Sequence, residues 1–541
     1  MSRRERGAGQ GGSRAGEVLV VAAVVGVAAL LRFAGLRWGL PTGEHFFSYH
    51  PDEIFLLRPS LGFAQGDWNP HFFNYGTLYI YLVGLPSVLL GLVPEAALFP
   101  ARLAPLHLAG RVITALLGTG TVLALYLALR RESRRFAALA AGLLALCPLH
   151  VVTSHYATVD VPATFWLTLA FLLSLIGSEG ANAKMGALAG LAVGLAAATK
   201  YNAALFTVPV LLAPVLSARP CRSGAWYLAV PAGMAIGFLI GCPFVGAPEF
   251  LPGVLFELRH MREGGTLAFE QAGSGWVYHV VRGLPTALGF PLVIGVICGV
   301  VAAISRPARS TRMSLLWVLL YLAVIGAARE RFIRYLVPMM PFLCVLAASG
   351  MVWLVQVTRR PRMRVAVSGL AGLVVVLTGL YSAGQVAPYV WPDPRDVAWR
   401  DVGPRVYSVE STARVGVVQT PWFYHPPVSP YNAGAFSAPL FEEWNQQMGG
   451  PVVVTGWEVQ ALEGSRPDYF FLSDLESADP VRLGTPEALS FMAELEEVYE
   501  SQRVYEQGRP PFSWLGPGRR WAPPDWLYPC PRITLYYGPR E

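Results

Sequence analysis

The chain is poor in charge. Only 14% of its 541 residues are Asp, Glu, Lys or Arg, while 54% are hydrophobic and the mean hydropathy is +0.43. Soluble proteins carry roughly a quarter charged residues, so a disordered chain, a collagen-like chain and a single soluble globule are excluded. Cysteine is scarce too. Cys147, Cys221, Cys242, Cys298, Cys344 and Cys530 show no CxxC spacing and lie mostly within or beside apolar runs. They read as packing residues, with no disulfide framework and no zinc site. No internal repeat is found, and no low-complexity tract beyond the Gly/Arg-rich first fifteen residues. Aspartate is nearly missing from the first 385 residues, where only Asp52, Asp67 and Asp160 occur.

What is present is a series of apolar runs, which makes this a polytopic membrane protein. They fall near 17–36, 77–93, 107–129, 136–153, 159–177, 184–199, 201–217, 226–242, 284–304, 314–328, 334–356 and 365–385. The basic start Met1-Ser2-Arg3-Arg4-Glu5-Arg6 precedes the first run, and no small-residue cleavage site follows it. A retained signal-anchor with a cytoplasmic N-terminus is expected.

Charge sets the topology. The net charge of +7 comes from arginines clustered in short segments between apolar runs, a topology signal rather than a nucleic-acid surface. If 77–93 does not cross, Arg130/Arg131/Arg134/Arg135, Arg219/Arg222, Arg306/Arg309/Arg312 and Arg359/Arg360/Arg362/Arg364 all face the cytoplasm. If it crosses, every cluster moves outside. The segment 77–93 is therefore expected to be interfacial or re-entrant on the outer face, leaving eleven crossings and an outer C-terminus. All nine histidines then fall at or beyond the outer boundary, as do the three early aspartates.

The expected organisation is a basic N-terminus over 1–16, a membrane domain over 17–385 with a first outer loop at 37–106, and an extracytoplasmic α/β domain over 386–541. The tail is rich in Pro, Trp, Asp and Glu. Short β-like runs start at Arg414, Pro451 and Asp468, and a helical stretch covers 486–500.

Three groups of residues carry chemistry. His50-Pro51-Asp52-Glu53 lies in the first outer loop among Phe46, Phe47, Tyr49 and Phe55. Adjacent carboxylates there read either as a general base with a metal ligand or hydrogen-bond acceptor, or as an ordinary solvated loop. Asp160, in the run His155–Pro162, opens a helix at membrane depth and reads as an N-cap or as a functional carboxylate. Lys200-Tyr201-Asn202 and Arg329–Tyr335 place cations where the positive-inside rule makes them scarce. They either snorkel to headgroups or bind an anionic ligand such as a lipid phosphate. A base opposite a phosphate clamp describes a transferase with a lipid-phosphate leaving group.

The sequence resembles the bacterial family 39 glycosyltransferases of the GT-C fold, relatives of protein O-mannosyltransferases and lipid A aminoarabinose transferases. The resembling segments are His50–Glu53, Asn74–Tyr79, His155–Pro162, Gly190–Asn202 and Arg334–Pro341, in that order, within a match over 15–385. The resemblance implies a helical GT-C bundle with juxtamembrane helices in the first outer loop. It also implies a polyprenyl-phosphate sugar donor and attack by an acceptor hydroxyl at the anomeric carbon, with inversion. Asp52 would be the catalytic acidic residue, with Glu53 and Asp160 beside it. Lys200, Arg331, Arg334 and Tyr335 would bind the donor phosphate, supported by His50, His155, Tyr201 and Asn202. A divalent metal is compatible with this pattern through Glu53 or His155 and is not required by it. The acceptor is open among protein, lipid and polysaccharide, and the expected location is a bacterial cell membrane. The rival reading is a transporter or flippase of a lipid-linked substrate, against which the lack of repeats and the one-sided charges both count.

Overall fold

The structure is a computed structural model that describes residues 3–45, 47–98, 100–216, 224–305, 308–408, 410–431 and 438–540. Phe46, Cys221, Arg306 and the Arg219/Arg222 pair lie outside the described residues. The described cysteines are all free.

Among the described residues, eight helices are long and apolar enough to cross a membrane. They lie within Arg14–Phe33, Ala104–Leu129, Asp160–Gly177, Gly224–Gly241, Gly275–Ser305, Arg309–Gly326, Ile333–Val357 and Pro361–Val406. Three of the eleven expected crossings fall short by length. The run 136–153 is broken, because Pro148 lacks an N–H and pushes Cys147 to φ −71°, ψ 115°, separating Arg134–Ala145 from Pro148–Thr153. Ala183–Ala197 has 15 residues, about 22 Å at the helical rise, against a hydrocarbon core of about 30 Å. The third starts as a 3₁₀ turn, Tyr201–Phe206, before Thr207–Leu212. The segment expected to be interfacial forms the helix Leu78–Leu89, 12 residues long.

Small residues fix the short helix that leads to Lys200. A Cβ on Gly190 would sit 2.0 Å from the Val230 carbonyl oxygen, and one on Gly194 2.1 Å from that of Met234. Ala183–Ala197 and Gly224–Gly241 therefore touch backbone to backbone, as small-residue seams allow. On the far side Gly76 lies against Ala198, where a Cβ would meet backbone at 2.2 Å, and the Leu78 N–H donates to the Ala198 carbonyl at 2.9 Å. The loop segment around Gly76 is thus packed against the turn that presents Lys200.

The C-terminal region holds a five-stranded sheet of β1 (Val415–Val417), β2 (Val452–Val454), β3 (Tyr469–Ser473), β4 (Tyr499–Tyr505) and β5 (Ile533–Pro539), in spatial order β2-β1-β3-β5-β4. β1 pairs in parallel with β2 and β3, and β5 is antiparallel to both β3 and β4. The three β-like runs became β1 to β3, and the expected helix runs Pro486–Val498. β4, with the polar sequence YESQRVY, and β5 were not anticipated.

This region is stitched to the loop that follows the first helix. Trp38 donates to the Asp393 carboxylate at 3.0 Å. Arg395 forks onto the same carboxylate at 2.8 and 2.7 Å and lies 3.7 Å over the Tyr49 ring.

Candidate active site

Asp52 and Glu53 are neighbours in sequence and part company in space. Asp52 precedes the short helix Glu53–Leu57 and keeps a side chain 26% exposed. Its Oδ2 lies 3.1 Å from Arg334 Nη1, an ion pair spanning most of the membrane domain's sequence. Glu53 turns inward and is fully buried. Arg111 forks onto it, Nε to Oε1 at 2.7 Å and Nη2 to Oε2 at 2.8 Å. The Ala157 N–H and the Ser48 hydroxyl also donate to it. Burial pushes the Glu53 carboxyl up, and the Arg111 guanidinium more than offsets this, holding it at about 2.

The second carboxylate of the site is Asp160, at the start of Asp160–Gly177. No side-chain cap is formed at that helix start; Asp160 Oδ1 instead lies 2.6 Å from Lys200 Nζ, with both residues buried. Lys200 sits in extended backbone just after the short helix, with its ammonium 4.7 Å above the Tyr335 ring. The guanidinium of Arg334 lies 5.8 Å from that same ring and 4.0 Å over Phe332. Tyr335 therefore stands between the two ion pairs, Asp52–Arg334 and Asp160–Lys200.

Two supporting residues hold this arrangement. Tyr201 donates toward the carbonyls of Phe73 and Tyr75 at 2.9 and 3.0 Å, pinning the outer loop beside Lys200. His50 packs 4.1 Å from the Tyr156 ring, and its Nδ1 accepts from the Asp52 N–H at 3.3 Å. Burial brings His50 down to about 4, which keeps the imidazole neutral. Asn202 follows, with a buried Oδ1 that has no partner among the described residues.

Two expected members stand elsewhere. Arg331 turns away from the carboxylates, donating to the Gly273 carbonyl at 2.7 Å with its guanidinium 5.9 Å from the Tyr278 ring. Both nitrogens of His155 face backbone carbonyls, Val151 at 3.0 Å and Ala34 at 2.8 Å. A metal held through Glu53 or His155 does not fit, because hydrogen-bonding partners already occupy their ligating atoms. Among the described residues no group of three His, Cys, Asp or Glu could hold a metal ion.

Four further groups face this region. Arg111 was visible as a lone arginine inside an apolar run. Tyr75 and Glu257 interact electrostatically with the cluster. Burial raises the Glu257 carboxyl while Lys200 and Arg334 draw it down. Glu257 rides on the outward helix Phe250–Glu263, which lay unassigned between two apolar runs. The fourth is Asp525, from the C-terminal region. A small cleft is lined by His50, Tyr156, Thr158, Arg334, Asp525 and Trp526 among others.

Residues 103–244 match the family model described as dolichyl-phosphate-mannose-protein mannosyltransferase. That stretch contains Arg111, Asp160 and Lys200. Undecaprenyl phosphate-alpha-4-amino-4-deoxy-L-arabinose arabinosyl transferase 1 of Pseudomonas fluorescens is 26% identical over 365 residues, covering 65% of this chain and 64% of that protein. The match thus spans less than two thirds of that relative's length. ArnT from Cupriavidus metallidurans, solved with undecaprenyl phosphate, is 16% identical, with 96% of this chain and 99% of that one covered and a TM-score of 0.48. The apo oligosaccharyltransferase of Archaeoglobus fulgidus is 14% identical, with 90% and 73% covered and a TM-score of 0.49. By the family model and the arabinosyl transferase relative, this chain is similar to the O-mannosyltransferases and aminoarabinose transferases that its motifs resemble.

Proposed function

We propose that this protein is a membrane glycosyltransferase that moves a sugar from a polyprenyl-phosphate donor to an acceptor hydroxyl on the extracytoplasmic face. The observation that carries this reading is the pair of carboxylate–cation contacts joined at Tyr335. A solvent-reachable carboxylate, Asp52, lies beside a cationic group formed by Arg334 and Lys200.

The chemistry follows from those positions. The acceptor oxygen attacks the anomeric carbon as Asp52 takes its proton, a contribution of about 10²–10⁴-fold in such roles. The bond from that carbon to the phosphate oxygen breaks, and the electron pair leaves with the polyprenyl phosphate. Lys200 and Arg334 meet the charge that develops on the departing oxygen, where exclusion of water strengthens each contact. One displacement gives inversion. In the resting protein Arg334 is paired with Asp52, so a donor phosphate that draws Arg334 away also frees the base.

Glu53 serves as a positioning residue in this scheme. Its ion pair with Arg111 ties the outer loop to the helix Ala104–Leu129 and to the backbone at Ala157, and so fixes where Asp52 stands.

The test uses the full chain in bacterial membranes, whose protein, lipid and polysaccharide supply acceptors, given polyprenyl-phosphate mannose, glucose and aminoarabinose separately, with donor binding and release of free polyprenyl phosphate as the readouts. Release that Asp52→Asn removes supports the reading. Movement of the intact donor between leaflets without release would instead favour a flippase.

A further inference from the structure

The helix carrying Arg334 and Tyr335 begins at Ile333 with its first N–H groups uncapped by its own sequence. Phe332 holds the N-cap position, where Ser, Thr, Asp or Asn would normally supply an acceptor. The acceptor comes from far along the chain. Asp525 Oδ1 receives the Ile333 N–H at 3.0 Å, and Oδ2 receives the Arg334 N–H at 3.2 Å. Both carboxylate oxygens are therefore committed to the two residues that start the helix.

The surroundings show that this is a wall of the site and no remote brace. Asp525 and its neighbour Trp526 line the same cleft as His50, Tyr156, Thr158 and Arg334. The Thr158 hydroxyl in that cleft is buried and has no partner among the described residues. Tyr528 closes the same side, its ring 5.6 Å from His50 and nearly perpendicular to it. The turn Pro524–Trp526 is delivered by a segment between β4 and β5, strands that pair with each other.

We propose that Asp525 is a positioning residue of the active site, by which the C-terminal domain holds Arg334 in line with Asp52. The contact runs from the Asp525 carboxylate to the Arg334 backbone, and from the Arg334 guanidinium to Asp52 Oδ2. Without it the first turn frays and Arg334 loses its fixed direction. The consequence for turnover rests on the glycosyltransferase reading; the placement of Arg334 does not.

The experiment keeps those two apart. The full chain in lipid nanodiscs is treated with phenylglyoxal, and modification at each arginine is followed by mass spectrometry in wild type, Asp525→Asn, Asp525→Ala and Asp525→Glu. Arg334 is expected to be modified several-fold faster in Asp525→Ala, with the remote Arg134 and Arg466 unchanged as internal controls. Asp525→Glu, which keeps the charge, is expected to restore part of the protection. Polyprenyl phosphate release should fall about 100-fold in Asp525→Ala, the scale of a small displacement at a reacting centre. Should Asp525→Ala fail to fold, Asp525→Asn, which keeps one acceptor oxygen, gives the same readout with a smaller change. Unchanged Arg334 modification in a folded variant would overturn the proposal, as would a rise spread equally over the control arginines. Faster Arg334 modification in a protein whose wild type binds none of the three donors would uphold the positioning role and remove the transferase reading.

Discussion

Lys200 Nζ lies 2.6 Å from Asp160 Oδ1 and 4.7 Å above the ring of Tyr335, with both charged groups buried. It is one of only two lysines in the chain. Removing one partner of such a pair strands the other charge, at a cost of about 3–5 kcal/mol, whereas replacing both by apolar residues is often neutral. Lys200→Ala should therefore lower the melting temperature and weaken undecaprenyl phosphate binding. The double variant Asp160→Leu with Lys200→Met separates the two effects. It should recover the melting temperature and still fail to bind the lipid. Recovered binding in the double variant would make the pair a packing device only.

Asp52→Asn should leave undecaprenyl phosphate binding intact while turnover falls by about 10²–10⁴-fold. Binding is read by titration with the lipid, and turnover by free polyprenyl phosphate. Near-normal turnover would exclude Asp52 as the base.

The Glu53–Arg111 pair predicts a stability effect with a defined sign. Glu53 is held at about 2, against 4.5 for an unperturbed glutamate, because its pairing with Arg111 outweighs its burial. A carboxylate with a depressed folded-state pKa adds stability that is fully present above its unfolded value. That stability should be lost as pH falls from about 4.5 through about 2. Glu53→Gln should remove this part of the acid dependence and cost about 3–5 kcal/mol at neutral pH, since Arg111 is left buried without its counter-charge. Melting curves of wild type and variant across that window check both statements. An unaltered melting temperature in Glu53→Gln at neutral pH would contradict the assignment.

Arg331 was grouped with Arg334 because the two are three residues apart and basic. Its bond to the Gly273 carbonyl gives a different expectation: Arg331→Ala should loosen the loop that follows Leu267–Phe269 and leave undecaprenyl phosphate affinity close to wild type. Limited proteolysis reads the first and lipid titration the second. Loss of affinity as large as in Lys200→Ala would return Arg331 to the phosphate site.

How far the sequence foretold this depends on the residue. Asp160 and Lys200 were legible because ionisable groups are costly at membrane depth and so are rare there. Asp52 was set apart from Glu53 by the family resemblance alone, since adjacent side chains at a helix start diverge and only the packing shows which one meets Arg111. The break at Cys147–Pro148 was overlooked because hydropathy ignores the missing N–H of a proline. β4 escaped because its outward face is polar and its partner β5 lies at the far end of the tail. Asp525 lay beyond reach for the same reason: its partners are backbone N–H groups 192 and 191 residues away, and no side-chain motif marks them.

The strand order has a consequence for biosynthesis. β5 sits between β3 and β4, so the sheet has a gap at its middle until residues 533–539 have been made. The turn bearing Asp525 lies between β4 and β5 in the chain. A chain lacking residues 533–539 is expected to leave β3 and β4 unjoined and that turn without its flanking strand, read as faster hydrogen exchange at the Ile333 and Arg334 N–H groups.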